Sequence, residues 1–173
     1  MTSPRPTPEH EFNVSVDWQG PGEHPTTEVR RFRRASVASS GQEVPPLRVS
    51  AARTFFGDRD AWNPETLLLA ALAQCHLSAF LREAGLAGLT VEDASVSIRA
   101  WLNVDASGAG RITRAELIPR TALSGPADGD SVPDGGIPPS LCSHLDTLHR
   151  AAHEKCFIAN SVNFPMDVLP DRS

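Results

Sequence analysis

Two cysteines lie in segments that could support thiol chemistry. Cys75 ends a leucine- and alanine-rich run in NPETLLLAALAQCH, and Cys156 follows charged residues in AAHEKCFIANSV. A thiolate attacks a peroxide, and the sulfenic acid that results can condense with a second thiol to form a disulfide. One nucleophile, one resolving thiol and an apolar surround that favours lipophilic hydroperoxides are therefore the minimum set for peroxide reduction, and this chain could supply it.

The same residues have other interpretations. Free cysteine packs as a small hydrophobic residue and is among the most buried residue types, so Cys75 and Cys156 could be core residues. The i, i+4 spacing of His149 and His153 on a predicted helix could bind a metal, but we expect both to be partly exposed helix residues. His76 and His153 are expected to be polar pocket walls rather than metal ligands. The HEKC segment is not HExxH, so a metalloprotease is excluded.

Composition restricts the class of protein. The chain has 173 residues, enough for a domain with a genuine core, and a formal net charge of −5, which does not suggest binding to nucleic acid or to an anionic membrane. We expect no membrane-spanning segment and no secretory signal, and hence a cytoplasmic protein. Three cysteines in a reducing compartment do not form a disulfide framework.

One long segment is predicted to be a central helix. Asn63 is a suitable N-cap, Pro64 suits the first helical position, and Glu65 complements the positive end of the helix dipole. Apolar residues surround the predicted helix on nearly all sides as far as Gly85, so we expect burial on several sides. The face that carries Cys75 consists of Leu68, Ala71, Leu72, Cys75, Ser78, Ala79 and Arg82.

Strand and turn signals place β-hairpins around this helix. Alternating apolar residues predict the strands, and Gly- and Pro-containing dipeptides predict the turns. A second helix is predicted from Ser140 to Lys155. This order of elements is typical of an α+β fold, which we predict as one domain over 11–173 after a flexible tail at 1–10. The predicted strands are 11–18, 28–39, 47–51, 89–102, 111–120 and 158–168, with a loop at 124–139.

The two cysteine segments resemble the motifs of the OsmC/Ohr family of organic hydroperoxide reductases. The NPE start, the leucine-rich helix and a cysteine ten residues after the glutamate match the first motif, and A-H-E-x-C followed by N-S matches the second. The resemblance implies an OsmC-like fold in which Cys75 is the peroxidatic thiol and Cys156 the resolving thiol. It also implies that Glu65 holds the site arginine. Cys142 has no counterpart in the family, and we interpret it as structural.

The chain departs from the family in the position of the arginine. The family's peroxidases carry a catalytic arginine in the turn after the first strand, but the turn at 20–24 has none. Arg53 is our first candidate to replace it, and the arginines within 30–34 are the others. On one straight helix Glu65 and Cys75 would lie about 15 Å apart along the axis. Either the helix starts later, or Glu65 acts across the intertwined homodimer that the resemblance implies.

The implied function is reduction of organic hydroperoxides through a Cys75–Cys156 redox pair. The expected partners are an organic hydroperoxide, a dithiol reductant such as a lipoyl-bearing protein, and a second copy of the chain, without metal or organic cofactor. Two alternatives remain open. One is a non-catalytic OsmC-like protein that binds a small apolar ligand, which the missing arginine favours. The other is a metal site built from Cys75, Cys156 and a histidine.

Overall fold

Groups of strands are separated by two helices along the chain, in the α+β order that the sequence predicts. A computed structural model describes residues 9–41, 43–123 and 139–171, with 139–143 described by their backbone alone. The chain divides into two compact units, Met1–Leu67 and Leu68–Ser173. The predicted loop at 124–138, residues 1–8 of the predicted tail and the side chain of Cys142 lie outside the described residues. The single domain over 11–173 stays a prediction.

The first unit contains a small antiparallel sheet. Its strands β1 (Ser15–Trp18), β2 (Ser36–Ser39) and β3 (Leu47–Val49) are paired in that order. The predicted strand over 28–39 is therefore too long. Residues 28–32 form a turn instead, in which the backbone N–H groups of Arg31 and Phe32 donate to the carbonyl of Glu28 at 2.8 and 3.2 Å. The imperfect alternation of apolar residues before Ser36 agrees with this result.

The long helix α1 (Pro64–Leu86) begins where the sequence predicts. The Thr66 N–H donates to Asn63 Oδ1 at 2.9 Å, which confirms Asn63 as the N-cap. After α1, Gly88 adopts a positive φ of 77°, and the Leu89 N–H donates to the carbonyl of Ala84 at 3.0 Å. A glycine in the left-handed region is a common way to end a helix. Helix α1 ends at Leu86, one residue after the predicted end at Gly85.

Helix α1 is more apolar than it is buried. An 18-residue window has a mean hydropathy of 1.2, so the helix meets a length and composition criterion for a membrane span that we expected no segment to meet. Core helices of ordinary proteins meet the same criterion. Only 17% of that window is buried, and large apolar side chains such as Leu81 and Leu86 are exposed.

The second unit contains a larger sheet and a second helix, α2 (Pro139–Glu154). Strands β4 (Val91–Val104) and β5 (Gly110–Leu123) form a long antiparallel hairpin. The short strand β6 (Met166–Val168) pairs with β5 in parallel. The strand predicted over 158–168 is too long, because residues 159–161 form a 3₁₀ helix before β6 begins.

An apolar cluster packs α1 against α2 and the hairpin. Its buried members come from the two helices, and partly buried residues of the sheet and its approach pack against them. The buried members are Phe80, Ala84, Leu145, Leu148 and Ala152. This cluster holds the two helices together within the second unit.

Candidate functional site

Cys75 and Cys156 come together in the second unit. Cys75 lies in the middle of α1, and Cys156 follows the C-terminal end of α2. Both are free thiols, and the Cys75 thiol is near enough to Cys156 to raise its pKa. Cys75 is half-buried, whereas Cys156 is 0% exposed. The two cysteines that the sequence singled out are therefore neighbours, and one of them is accessible.

The accessible thiol lies in the wall of a cleft of about 690 Å³. The α1 side of the cleft is the face predicted to carry Cys75, at spacings of three and four residues, and the other wall comes from residues beside Cys156. The lining residues are Cys75, Ser78, Ala79, Arg82, Glu83, Lys155 and Phe157. Phe157 is 79% exposed. Cys75 therefore shares the cleft with both apolar and cationic side chains.

Burial sets the chemistry of the second thiol. Removal from water raises the pKa of Cys156 to about 11, because it disfavours the thiolate, and the neighbouring Cys75 thiol adds to the rise. The Ala159 N–H, 3.4 Å from Cys156 Sγ, opposes it. Cys156 is thus held as a neutral thiol at neutral pH. This state suits a group that waits for an oxidised partner rather than one that attacks a peroxide.

Three charged residues at the cleft form an ion-pair cluster that the sequence analysis did not single out as a unit. Glu83 accepts from Arg82 Nη1 at 2.7 Å through one carboxylate oxygen and from Lys155 Nζ at 2.6 Å through the other. These cations, Lys155 first, lower the pKa of Glu83. One signal was visible in the sequence, since Lys155 is the only lysine of the chain and directly precedes Cys156.

The predicted residues Glu65 and Arg53 belong to the first unit. Arg53 lies in a short 3₁₀ helix, Arg53–Phe55, is exposed, and its side chain makes no hydrogen bond or ion pair with the described residues. Glu65 Oε2 is buried and has no hydrogen-bond partner among the residues that the structure describes. The structure does not pair these two side chains, and their catalytic roles stay predictions. Glu65 and Cys75 do share α1, so the helix does not start later.

Two of the other arginine candidates, Arg31 and Arg34, have local partners in the first unit. Arg34 donates to the carbonyls of Phe32 and Val29, and its guanidinium lies 4.0 Å from the Phe32 ring centroid. Arg31 pairs with Glu28 at 3.1 Å. These contacts are those of residues that stabilise a turn.

The histidines form a buried network instead of lining the cleft. His76 Nε2 lies 3.2 Å from His149 Nδ1, and His149 Nε2 lies 3.4 Å from both Asp171 Oδ2 and Thr121 Oγ1. His76 is 0% and His149 2% exposed, so the expectations of a pocket wall for His76 and of partial exposure for His149 were wrong. The spacing of Leu145, Leu148, His149 and Ala152 (i, i+3, i+4, i+7) is that of a core stripe and could have predicted it. His153 is half-buried, as expected.

Burial also controls the charge of this network. Desolvation, helped by the neighbouring His149 and His153, lowers the pKa of His76 to about 4. Desolvation lowers the pKa of His149 as well, although the Asp171 carboxylate opposes the change. Both rings are therefore neutral at pH 7. Within the described part of the chain, no group of three or more His, Cys, Asp or Glu side chains could hold a metal ion, so the alternative of a metal site gains no support.

Comparison with known proteins identifies the family. The family model for OsmC-like proteins matches residues 57–169, which include both cysteine segments and Glu65. The chain belongs to the OsmC-like protein family. No curated protein matches it.

Solved structures with this fold cover nearly the whole chain. An OsmC-like protein of unknown function from Vibrio cholerae is 25% identical, with a TM-score of 0.77 and coverage of 93% of this chain and 99% of its own. An organic hydroperoxide resistance protein OsmC from Legionella pneumophila is 17% identical, with a TM-score of 0.65 and coverage of 94% and 98%. OhrB of Bacillus subtilis is 20% identical, with a TM-score of 0.55 and coverage of 92% and 98%. These similarities confirm the predicted OsmC-like fold.

Proposed function

We propose that this OsmC-like protein reduces organic hydroperoxides with Cys75 as the nucleophile and Cys156 as the resolving thiol. The observation that carries the proposal is the proximity of an accessible thiol in a partly apolar cleft to a fully buried second thiol. Two of the similar structures are organic hydroperoxide resistance proteins, which supports this reaction class.

The reaction has two steps. The Cys75 thiolate attacks one peroxide oxygen, the O–O bond breaks, and the alcohol leaves after protonation while Cys75 becomes a sulfenic acid. Cys156 sulfur then attacks the Cys75 sulfur, so that an S–S bond forms as the S–O bond breaks. The Cys156 proton and the leaving hydroxide form water. Because Cys156 is buried with a raised pKa, the peroxide meets Cys75 first.

A direct test is to mix the reduced protein with one equivalent of an organic hydroperoxide and to map disulfides by mass spectrometry. We expect rapid formation of a Cys75–Cys156 disulfide, loss of the peroxide, and no reaction in Cys75→Ser. A Cys142→Ser variant controls for the third cysteine and should behave as the wild type. Free thiols beside persistent peroxide would refute the enzymatic proposal.

A second candidate is a non-catalytic protein that binds a small apolar ligand. It is favoured by one observation: both cations that line the cleft, Arg82 and Lys155, are bound to Glu83, so neither is committed to activating Cys75. Under this alternative an apolar alcohol would bind in the cleft as tightly to Cys75→Ser as to the wild type, and hydroperoxides would persist.

We further propose that the protein acts as a cytoplasmic homodimer that a dithiol such as a lipoyl-bearing protein regenerates. The uncovered apolar surface of α1 in the second unit supports the dimer, since Leu81 and Leu86 are 45% and 70% exposed and a second copy would bury them. Sedimentation equilibrium should give twice the chain mass of 18.6 kDa. A monomer would refute this part of the proposal and leave the thiol chemistry to its own test.

A further inference from the structure

An ion pair joins the helix of Cys75 to the segment of Cys156. Lys155 Nζ lies 2.6 Å from Glu83 Oε2. Lys155 directly precedes Cys156, and Glu83 lies on α1 about two turns after Cys75. Glu83 is only 9% exposed, so its carboxylate is less screened by water than a surface carboxylate would be. The pair therefore connects the two elements whose relative position decides whether the thiols can meet.

The packing of the two helices also has an apolar source. The apolar cluster of Phe80, Ala84, Leu148 and Ala152 already packs α1 against α2. The ion pair lies beyond that cluster, where the chain leaves α2 and the Cys156 N–H makes its last helical bond, to the His153 carbonyl at 3.1 Å. A restraint at this point acts on the segment that carries Cys156 rather than on the helix packing.

A disulfide makes a strict geometric demand. The two Cβ atoms must approach to about 3.8 Å with the S–S torsion near 90°. Two groups that the fold already holds in this geometry react faster, because little further entropy is lost in bringing them together. We propose that Glu83 and Lys155 are a positioning pair, which holds Cys156 in place for its attack on the sulfenic acid of Cys75. The inference rests on the proposed function, because it assigns a role in the second of its two steps.

The test separates the two steps by rate. In a Cys156→Ser background, a dimedone trap measures formation of the Cys75 sulfenic acid from an organic hydroperoxide. With Cys156 present, quenched-flow mass spectrometry measures formation of the disulfide. We expect Lys155→Gln and Glu83→Gln to slow disulfide formation about two- to fivefold more than they change sulfenic acid formation, each rate being compared with its own parent protein.

Two further variants make the result specific. Arg150→Gln removes a cation from the exposed side of α2 and should change neither rate. The charge exchange Glu83→Lys with Lys155→Glu restores an ion pair of opposite polarity and should recover part of the lost rate. Lys155 is 52% exposed, so Lys155→Gln should fold. If a substitution at buried Glu83 prevents folding, the Lys155→Gln variant alone provides the test.

A second measurement does not depend on peroxide chemistry. Equilibration with reduced and oxidised glutathione gives the effective concentration of the Cys75–Cys156 pair, which we expect to fall about two- to fivefold in Lys155→Gln. An effective concentration equal to that of Arg150→Gln, or equal slowing of both kinetic steps, would overturn the inference. If peroxide produces no sulfenic acid in any variant, the proposed function fails, while the glutathione equilibrium still decides whether the pair positions Cys156.

Discussion

The buried neutral His76 predicts a loss of stability in mild acid. His76 is 0% exposed and its pKa is lowered from 6.5 to about 4. In the unfolded chain the ring regains a pKa near 6.5, so below that pH the unfolded state binds more protons than the folded state. The contribution of His76 to the free energy of unfolding is therefore fully present above pH 6.5 and is lost as the pH falls toward 4.

The magnitude follows from the two pKa values. The difference between 6.5 and 4 corresponds to about 3 kcal/mol, of which about 2.5 kcal/mol is lost between pH 7 and pH 4.5. His149, whose pKa is lowered in the same direction, adds to the loss. This amount is a substantial part of the stability of an ordinary domain.

The assay compares variants rather than absolute stabilities, because carboxylates also titrate in this range. Urea unfolding at pH 7 and pH 4.5, followed by circular dichroism at one protein concentration, gives the acid-induced loss for each variant. His76→Gln keeps an amide near His149 and should lose about 2.5 kcal/mol less than the wild type over this interval. His144→Gln, at an exposed position of α2, should lose as much as the wild type. An equal acid loss in His76→Gln and His144→Gln would refute the reasoning.

Other expectations follow from single contacts. Asn63→Ala removes the cap to the Thr66 N–H and should lower the free energy of unfolding by about 1 kcal/mol, measured by urea unfolding; no change would contradict the assigned cap. Gly57→Ala should prevent folding, because its Cβ would lie 1.6 Å from the Ala51 carbonyl oxygen, whereas Gly85→Ala meets nothing within 4 Å and should raise stability by about 0.5–1 kcal/mol; melting temperatures in the reverse order would sink this comparison. Iodoacetamide should label Cys75 before Cys156 in the folded protein, since Cys156 is buried and its pKa is raised to about 11; peptide mapping checks the order, and equal labelling would disprove it.

Local signals in the sequence were sufficient where one short segment decides the structure. The start of α1 depends on Asn63, Pro64 and Glu65, which are adjacent, and the structure confirms it. The turn after β1 follows from Gly20 and Gly22, whose φ values are 83° and 72°. The order of elements was correct for the same reason, because apolar periodicity and turn residues act within a few residues of each other.

Local signals failed where a partner distant in sequence decides. The segments 28–35 and 158–165 have residues suited to strands, but neither continues its neighbouring strand, and turns or a 3₁₀ helix form instead. The sequence predicts His149 as a partly exposed helix residue, yet its ring stacks 4.0 Å from Phe80 and bonds to His76. Tertiary packing supplied the partners that make a buried histidine tolerable.

The sequence by itself determined the family, the fold class and the two cysteine motifs, because motifs and periodicity are carried by residues close together in the chain. Only the tertiary structure decided that Cys75 lines a cleft while Cys156 is buried beside it, and that Glu83 and Lys155 join their two elements. Burial, the proximity of the thiols and the cleft depend on distances between elements far apart in sequence, and these distances exist only once the helices and the hairpin have packed.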